Sequence, residues 1–273
     1  MLKTTMLAAA LLCAAPAFAQ AQEEPQASIA ERPPTLGLAV EAGLLSDYRF
    51  RGISRSDEDP ALRASLNLFH DSGLYAGVRG TTLSGTDSWR RRDPAFRDLG
   101  DVQLDLYAGW RADLGGGFDL DAGALYYVFA GGEGATDYVE PYASLAYLIG
   151  PVQLTGGMKY APSQRATGDE AMLYLYGQLD VTVPFRPWSF TAHAGRQDWG
   201  LRGCGLPRSP QPCPGGTAAP SNGSYWNWSL GATHQLQIEG IPDSELSLTY
   251  VDTDLPSARG QDGGIVLSIG LRF

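Results

Sequence analysis

Long apolar runs are missing from this sequence. After the first twenty residues no segment approaches the roughly 18 consecutive apolar residues that a membrane helix needs. That excludes a helical membrane protein but not a barrel, whose alternating strands have low average hydropathy. Positive charge is also scarce: 20 Lys and Arg stand against 30 Asp and Glu, giving a net charge of -10 and a pI near 4.7. A basic nucleic-acid-binding surface is therefore excluded, and no nucleic acid is expected as a partner. Three cysteines are too few for a disulfide-rich scaffold. Cys204 and Cys213 have no neighbouring histidine and no second cysteine pair, so no metal and no cofactor are expected. Histidine is limited to His70, His193 and His234, which leaves little acid–base chemistry at neutral pH.

The N-terminus has the parts of an export signal. Lys3 supplies a positive region, Met6 to Ala15 an apolar core too short to span a bilayer, and Ala17-Phe18-Ala19 the small residues a signal peptidase reads. Residues 1–19 are expected to be a signal peptide cut before Gln20. Bulky Leu12 ahead of Cys13 argues against lipoprotein processing. Residues 20–34 are polar and proline-bearing, and are expected to form a flexible segment. Residues 35–273 carry one uninterrupted pattern, hence one domain. In an oxidising compartment Cys204 and Cys213 can close a small disulfide loop, worth about 2–3 kcal/mol.

That pattern has a period of two. Leu36, Leu38, Val40, Ala42, Leu44, Ser46, Tyr48 and Phe50 share one face; Gly37, Ala39, Glu41, Gly43, Asp47 and Arg49 share the other. The alternation returns in Leu62 to Leu68, Leu74 to Val78, Val102 to Trp110, Phe118 to Tyr126, Val139 to Tyr147 and Val152 to Tyr160. It continues in Leu173 to Val181, Phe190 to Ala194, Trp226 to Ala232, Leu246 to Tyr250 and Ile265 to Phe273. The sum is about twelve strands, and single-chain bacterial barrels use even numbers. Short turns at Asp71 to Gly73, Asp113 to Gly117, Gly150-Pro151 and Pro184 to Pro187 alternate with longer loops. The loops are Gly52 to Pro60, Ser84 to Asp98, Gly131 to Asp137, Pro162 to Glu170, Asp198 to Gly223 and Asp252 to Asp262. The fold class expected is all-β, an up-and-down antiparallel transmembrane barrel with long loops outside the cell and both termini in the periplasm.

A soluble β-sandwich also alternates, so the aromatics matter. Tyr48, Phe50, Trp110, Phe118, Tyr126, Tyr147, Tyr160, Phe190, Trp226, Trp228, Tyr250 and Phe273 sit toward strand ends on the apolar face. Amphipathic rings prefer a bilayer interface, and a dry sandwich core gives no reason for such sorting. The chain also stops on Phe273 after alternating apolar positions, a form that suits recognition by the barrel-assembly machinery.

The opposite parity lists the lumen. Its candidate pore-lining residues are Glu41, Arg49, Arg63, Arg79, Asp105, Arg111, Glu140, Lys159, Asp180 and His193, accompanied by Asp47, Asp101, Asp119, Asp121, Arg51 and Arg272. Opposite charges across strands can pair and rigidify a barrel, or form a polar constriction. The excess negative charge in the loops and N-terminal segment favours a weak cation preference. Inward-facing Tyr75, Tyr107, Tyr127, Tyr142, Tyr174 and Tyr176 are expected to fill a polar interior. The run Asp57-Glu58-Asp59 lacks the glycine and ligand spacing of a calcium loop.

The stretch Ser46-Asp47-Tyr48-Arg49-Phe50-Arg51-Gly52-Ile53-Ser54, followed by Asp59-Pro60, resembles the opening signature of the TorF family of outer-membrane porins, Gcw-type conserved outer-membrane proteins. The resemblance continues in Gly73-Leu74-Tyr75-Ala76-Gly77, Tyr160-Ala161-Pro162, His193-Ala194-Gly195 and Trp228-Ser229-Leu230-Gly231. It ends at Ser247 to Asp254. It implies an outer-membrane barrel of unknown cargo, with outer-membrane lipid and small solutes as partners. The Asp198 to Gly223 loop looks like an insertion into that pattern. The expected function is a porin-like channel for ions or small polar solutes, and the alternative is a non-conducting scaffold or adhesion barrel whose loops bind a partner. An enzyme is disfavoured, because no serine at a recognisable spacing accompanies inward-facing His193, the only histidine placed for catalysis.

Overall fold

The computed structural model describes residues 36–83, 99–132, 134–199, 224–238, 241–257 and 260–273. Its strands are β1 (Leu36–Leu45), β2 (Arg49–Phe50), β3 (Ile53–Ser54), β4 (Ala61–His70), β5 (Leu74–Thr82), β6 (Gly100–Gly115) and β7 (Phe118–Gly131). They continue with β8 (Tyr138–Ile149), β9 (Val152–Ala161), β10 (Met172–Thr182), β11 (Trp188–Trp199), β12 (Ser224–Ile238), β13 (Ile241–Thr253) and β14 (Gly264–Arg272). All but β2 and β3 form one closed antiparallel barrel of nearest-neighbour hairpins, in which β1 pairs with β14 on one side and β4 on the other. The ends are stitched at Val40 and Phe273, each N–H donating to the other's carbonyl at 3.1 and 2.8 Å. Closure leaves no unpaired edge, which a spanning sheet requires in lipid.

Each wall strand sorts its side chains by alternation. In β4, Leu62, Ala64, Leu66 and Leu68 point out while Ala61, Arg63, Ser65 and Asn67 are buried within. Leu38, Leu230, Leu248 and Ile265 are likewise exposed on the outside. Water would make so continuous an apolar belt very unfavourable, whereas a bilayer would not. The aromatics expected on the outer face are there, with Tyr126, Tyr160, Phe190, Trp226 and Tyr250 among the exposed residues. Two are not. Strand β1 leaves the ladder at Leu45, and Tyr48 and Phe50 are buried inside the barrel, as is most of the segment to Asp57. The physical reason is given by their new partners, described below.

Other departures are smaller. Asp101 is exposed, at a point where the β6–β7 register slips between Gly100 and Val102. His70 and His234 are no departure: they lie outside at the short-turn end, as their apolar-face parity implies, and His234 meets Trp188 edge-on at 4.6 Å. The expected signal peptide, the flexible segment and the Asp198 to Gly223 insertion from residue 200 to residue 223 lie outside the described residues.

Candidate functional site

The first connection, between β1 and β4, turns inward instead of lying over the rim. Strands β2 and β3 form a two-residue hairpin, with Phe50 opposite Ile53. Its turn residues Arg51 and Gly52 both have positive φ, 51° and 85°, as a type I′ turn demands. Glycine is required at the second position for another reason: a Cβ there would lie 2.3 Å from Thr253 Cγ2. The hairpin is tied to the last loop through Ser54 N–H to the Gly260 carbonyl (2.7 Å) and Arg49 Nη1 to the Asp262 carbonyl (2.6 Å).

From there it reaches the opposite wall. Arg51 Nη2 donates to Glu140 Oε2 on β8, and Nη1 donates to Gln197 Oε1 on β11. The Arg51 guanidinium also lies 4.3 Å from the Tyr174 ring centroid on β10, and Tyr225 of β12 donates its hydroxyl proton to the Arg51 carbonyl. Phe50 meets Tyr127 edge-on at 5.6 Å. Around the hairpin, Ile53, Leu83, Leu125, Phe129, Tyr138, Ala166 and Met172 make an apolar core at the long-loop end of the lumen. The loop carrying Arg165–Thr167 closes part of that end, with Gln164 bonded to both backbone groups of Val139. Burying Tyr48 and Phe50 here removes far more apolar surface from water than an exposed loop would, and the polar side chains of Asp47, Arg49, Arg51, Ser54 and Ser56 carried along with them find hydrogen-bond partners.

The sequence-selected residues divide accordingly. Arg49 is interior but sits on the hairpin, where its Nε pairs with Asp47 Oδ2 at 2.7 Å; it is not on the wall. Arg79 pairs with Asp105 (Nη2 to Oδ2, 2.6 Å), Arg111 with Asp121 (2.9 Å) and Arg272 with Glu41 (3.0 Å), all across neighbouring strands. Arg63 faces inward beneath the Tyr48 ring, 5.0 Å from its centroid. Lys159 is fully buried on β9, in register with Tyr142 and Tyr174. Asp180 accepts from Gln178 Nε2 and the Thr191 hydroxyl, both at 2.7 Å. His193 Nε2 shares a 2.8 Å hydrogen bond with the Tyr174 hydroxyl, and its ring stacks with Tyr176. Among the described residues its hydrogen-bond partner is Tyr174 and not the cross-strand Ser229. Cys204 and Cys213 lie outside the described residues.

The tyrosines fill the wall. Tyr75 shares a hydrogen bond with Tyr142 and donates to Asp121 (2.6 Å), Tyr107 donates to Asn67, and Tyr127 donates to Glu140 (3.0 Å). Several lie against an inward glycine of the adjacent strand: a Cβ on Gly195 would sit 2.1 Å from the Tyr174 hydroxyl, and one on Gly157 2.3 Å from that of Tyr176. Reading the sequence missed Gln103, Gln197, Asn227 and Glu245, all buried within. Parity points all four inward, but the three amides carry no charge to mark them, and Glu245 stands one position before Leu246, where the apolar series of its strand begins. Arg55 carried no signal at all, because loop residues have no parity.

The family model described as "Bacterial protein of unknown function (Gcw_chp)" matches residues 29–208. No curated protein matches. Among solved structures, the NanC porin has 10% identity and a TM-score of 0.51, covering 87% of this chain and 99% of that one. The outer membrane protein OprD from Pseudomonas aeruginosa has 13% identity and a TM-score of 0.44, covering 87% and 65%. The first of these likenesses is one of fold.

Proposed function

Because the chain belongs to the Gcw_chp family, described as bacterial proteins of unknown function, we propose from its own geometry that it is a porin-like channel of the outer membrane. It would pass ions or small polar solutes by diffusion, at a bore set by the first-loop hairpin. One observation carries the reading: a closed wall, apolar outside, whose inner face is polar and charged from Glu41 and Arg63 to Asp180 and Glu245. A barrel needed only as an anchor has no use for so many interior charges, each of which costs desolvation unless paired or wet. The TorF-like signature supports the same reading, since its residues Asp47 to Ser54 are those that build the hairpin. The NanC porin supports it only through its fold.

The hairpin gives weight to one second reading, a non-conducting barrel whose outer loops bind a partner. A loop that crosses the lumen and buries Arg51 could close the passage outright. Both readings are non-catalytic, in keeping with the hydrogen bond that holds His193 to Tyr174.

Reconstitution of the purified chain in planar bilayers separates the two. Discrete conductance steps that grow when residues 49–54 are replaced by a short glycine linker are the expected result. Silence of both forms would leave the scaffold.

A further inference from the structure

Two arginines inside the barrel, Arg55 and Arg63, bond to no carboxylate among the described residues. Arg55 follows β3; its guanidinium lies 3.4 Å from the Phe50 ring centroid and 5.3 Å from that of Phe129, and it donates to Gln103 Oε1. Arg63 on β4 spends its Nε on Thr81 Oγ1 at 3.3 Å, and its two terminal nitrogens have no acceptor among the described residues. Each residue is 9% exposed.

The nearby carboxylates are engaged elsewhere. Asp105 holds Arg79 and Gln103, Asp47 holds Arg49 and the hydroxyls of Ser54 and Ser56, and Glu41 holds Arg272 and Ser65. Tyr48 stands within electrostatic reach of Arg55, Arg63, Arg79 and Asp105. Burial pushes its phenol up, and Asp105 adds to this, so it stays neutral and offsets nothing. Three guanidiniums thus share one ring, with Asp105 bonded to Arg79 and the Arg272-paired Glu41 within electrostatic reach of Arg63. A buried cation without a partner is costly, and a guanidinium fork matches carboxylate and phosphate oxygens.

We infer that Arg55 and Arg63, either side of Tyr48, bind a small oxyanion, a carboxylate or a phosphate, and make the constriction prefer anions. The anion preference of the passage rests on the porin-like reading, whereas binding at the two arginines needs only solvent access to the lumen. It reverses the weak cation preference that the excess of acidic residues suggested. That excess lies largely away from the constriction, and selectivity is set where the passage is narrowest.

Two readouts on the full chain test it. Under a potassium chloride gradient, the reversal potential of the wild type is expected to show chloride preference, lost when Arg55→Gln and Arg63→Gln are combined. In detergent, tripolyphosphate is expected to raise the thermal unfolding midpoint of the wild type, with binding about tenfold weaker for each arginine removed. Arg63→Lys, which keeps the charge, should retain chloride preference, and it guards against a misfolded variant, as does heat-modifiable gel migration. Cation preference in the wild type, or selectivity and stabilisation unchanged in the double variant, overturns the inference. Silent bilayers with arginine-dependent stabilisation would remove the pore reading and leave the anion site standing.

Discussion

Arg51 Nη2 donates to Glu140 Oε2 at 2.6 Å, joining the tip of the first loop to the far wall of the barrel. The two residues are 89 apart in sequence, and their side chains are 3% and 0% exposed. Removing one partner of such a pair leaves a buried charge, whereas the intact pair contributes little beyond its own desolvation. The contact is therefore best understood as a latch that fixes the hairpin's position.

Glu140→Gln tests the latch. Gln197 still accepts from Arg51, so a loss near the low end of the usual range for a broken buried pair is expected, about 3 kcal/mol. The readout is urea unfolding in detergent or vesicles, together with single-channel recording. Larger or noisier conductance is expected as the hairpin loosens. Unaltered conductance together with unaltered stability would show that the hairpin is held by its apolar packing alone.

Glu41 and Arg272 make a useful contrast. Their 3.0 Å pair joins the first and last barrel strands, but both side chains are 20% exposed. Screening by water reduces such a pair to less than about 1 kcal/mol. Glu41→Gln should unfold at nearly the wild-type urea concentration, and a large shift would show that barrel closure depends on this ion pair rather than on the β1–β14 ladder.

Gly195→Ala forces a methyl group onto the Tyr174 hydroxyl, at 2.1 Å. Overpacking of this kind typically costs about 1–3 kcal/mol. Tyr174→Leu in the same chain should recover part of that loss, because the clash partner is gone even though the bonds to His193 and Asn227 go with it. Strict additivity of the two changes would refute the packing account.

Leu230→Arg addresses the membrane. Leu230 is 61% exposed on the outer face of β12. On a soluble protein an exposed change like this moves stability by about 0.5 kcal/mol or less. On a lipid-facing strand near the midplane it costs about 2–4 kcal/mol. Folding yield into lipid vesicles distinguishes the two.

The sequence by itself determined the wall. Side chains alternate across a strand with a period of two, so an apolar series such as Leu62, Ala64, Leu66 and Leu68 dictates which residues, Arg63 and Asn67 among them, look inward. It determined the short-turn hairpins as well, since a turn of a few residues, such as Gly150-Pro151, leaves its two strands no choice but to pair with each other. Only the tertiary structure decided where Ser46 to Pro60 goes. Tyr48 and Phe50 continue the parity of β1 without a break, and no local rule says that the chain quits the ladder at Leu45. That choice is made by Glu140, Gln197, Tyr225 and Asp262, residues far along the chain that meet the hairpin only once the barrel has closed around it.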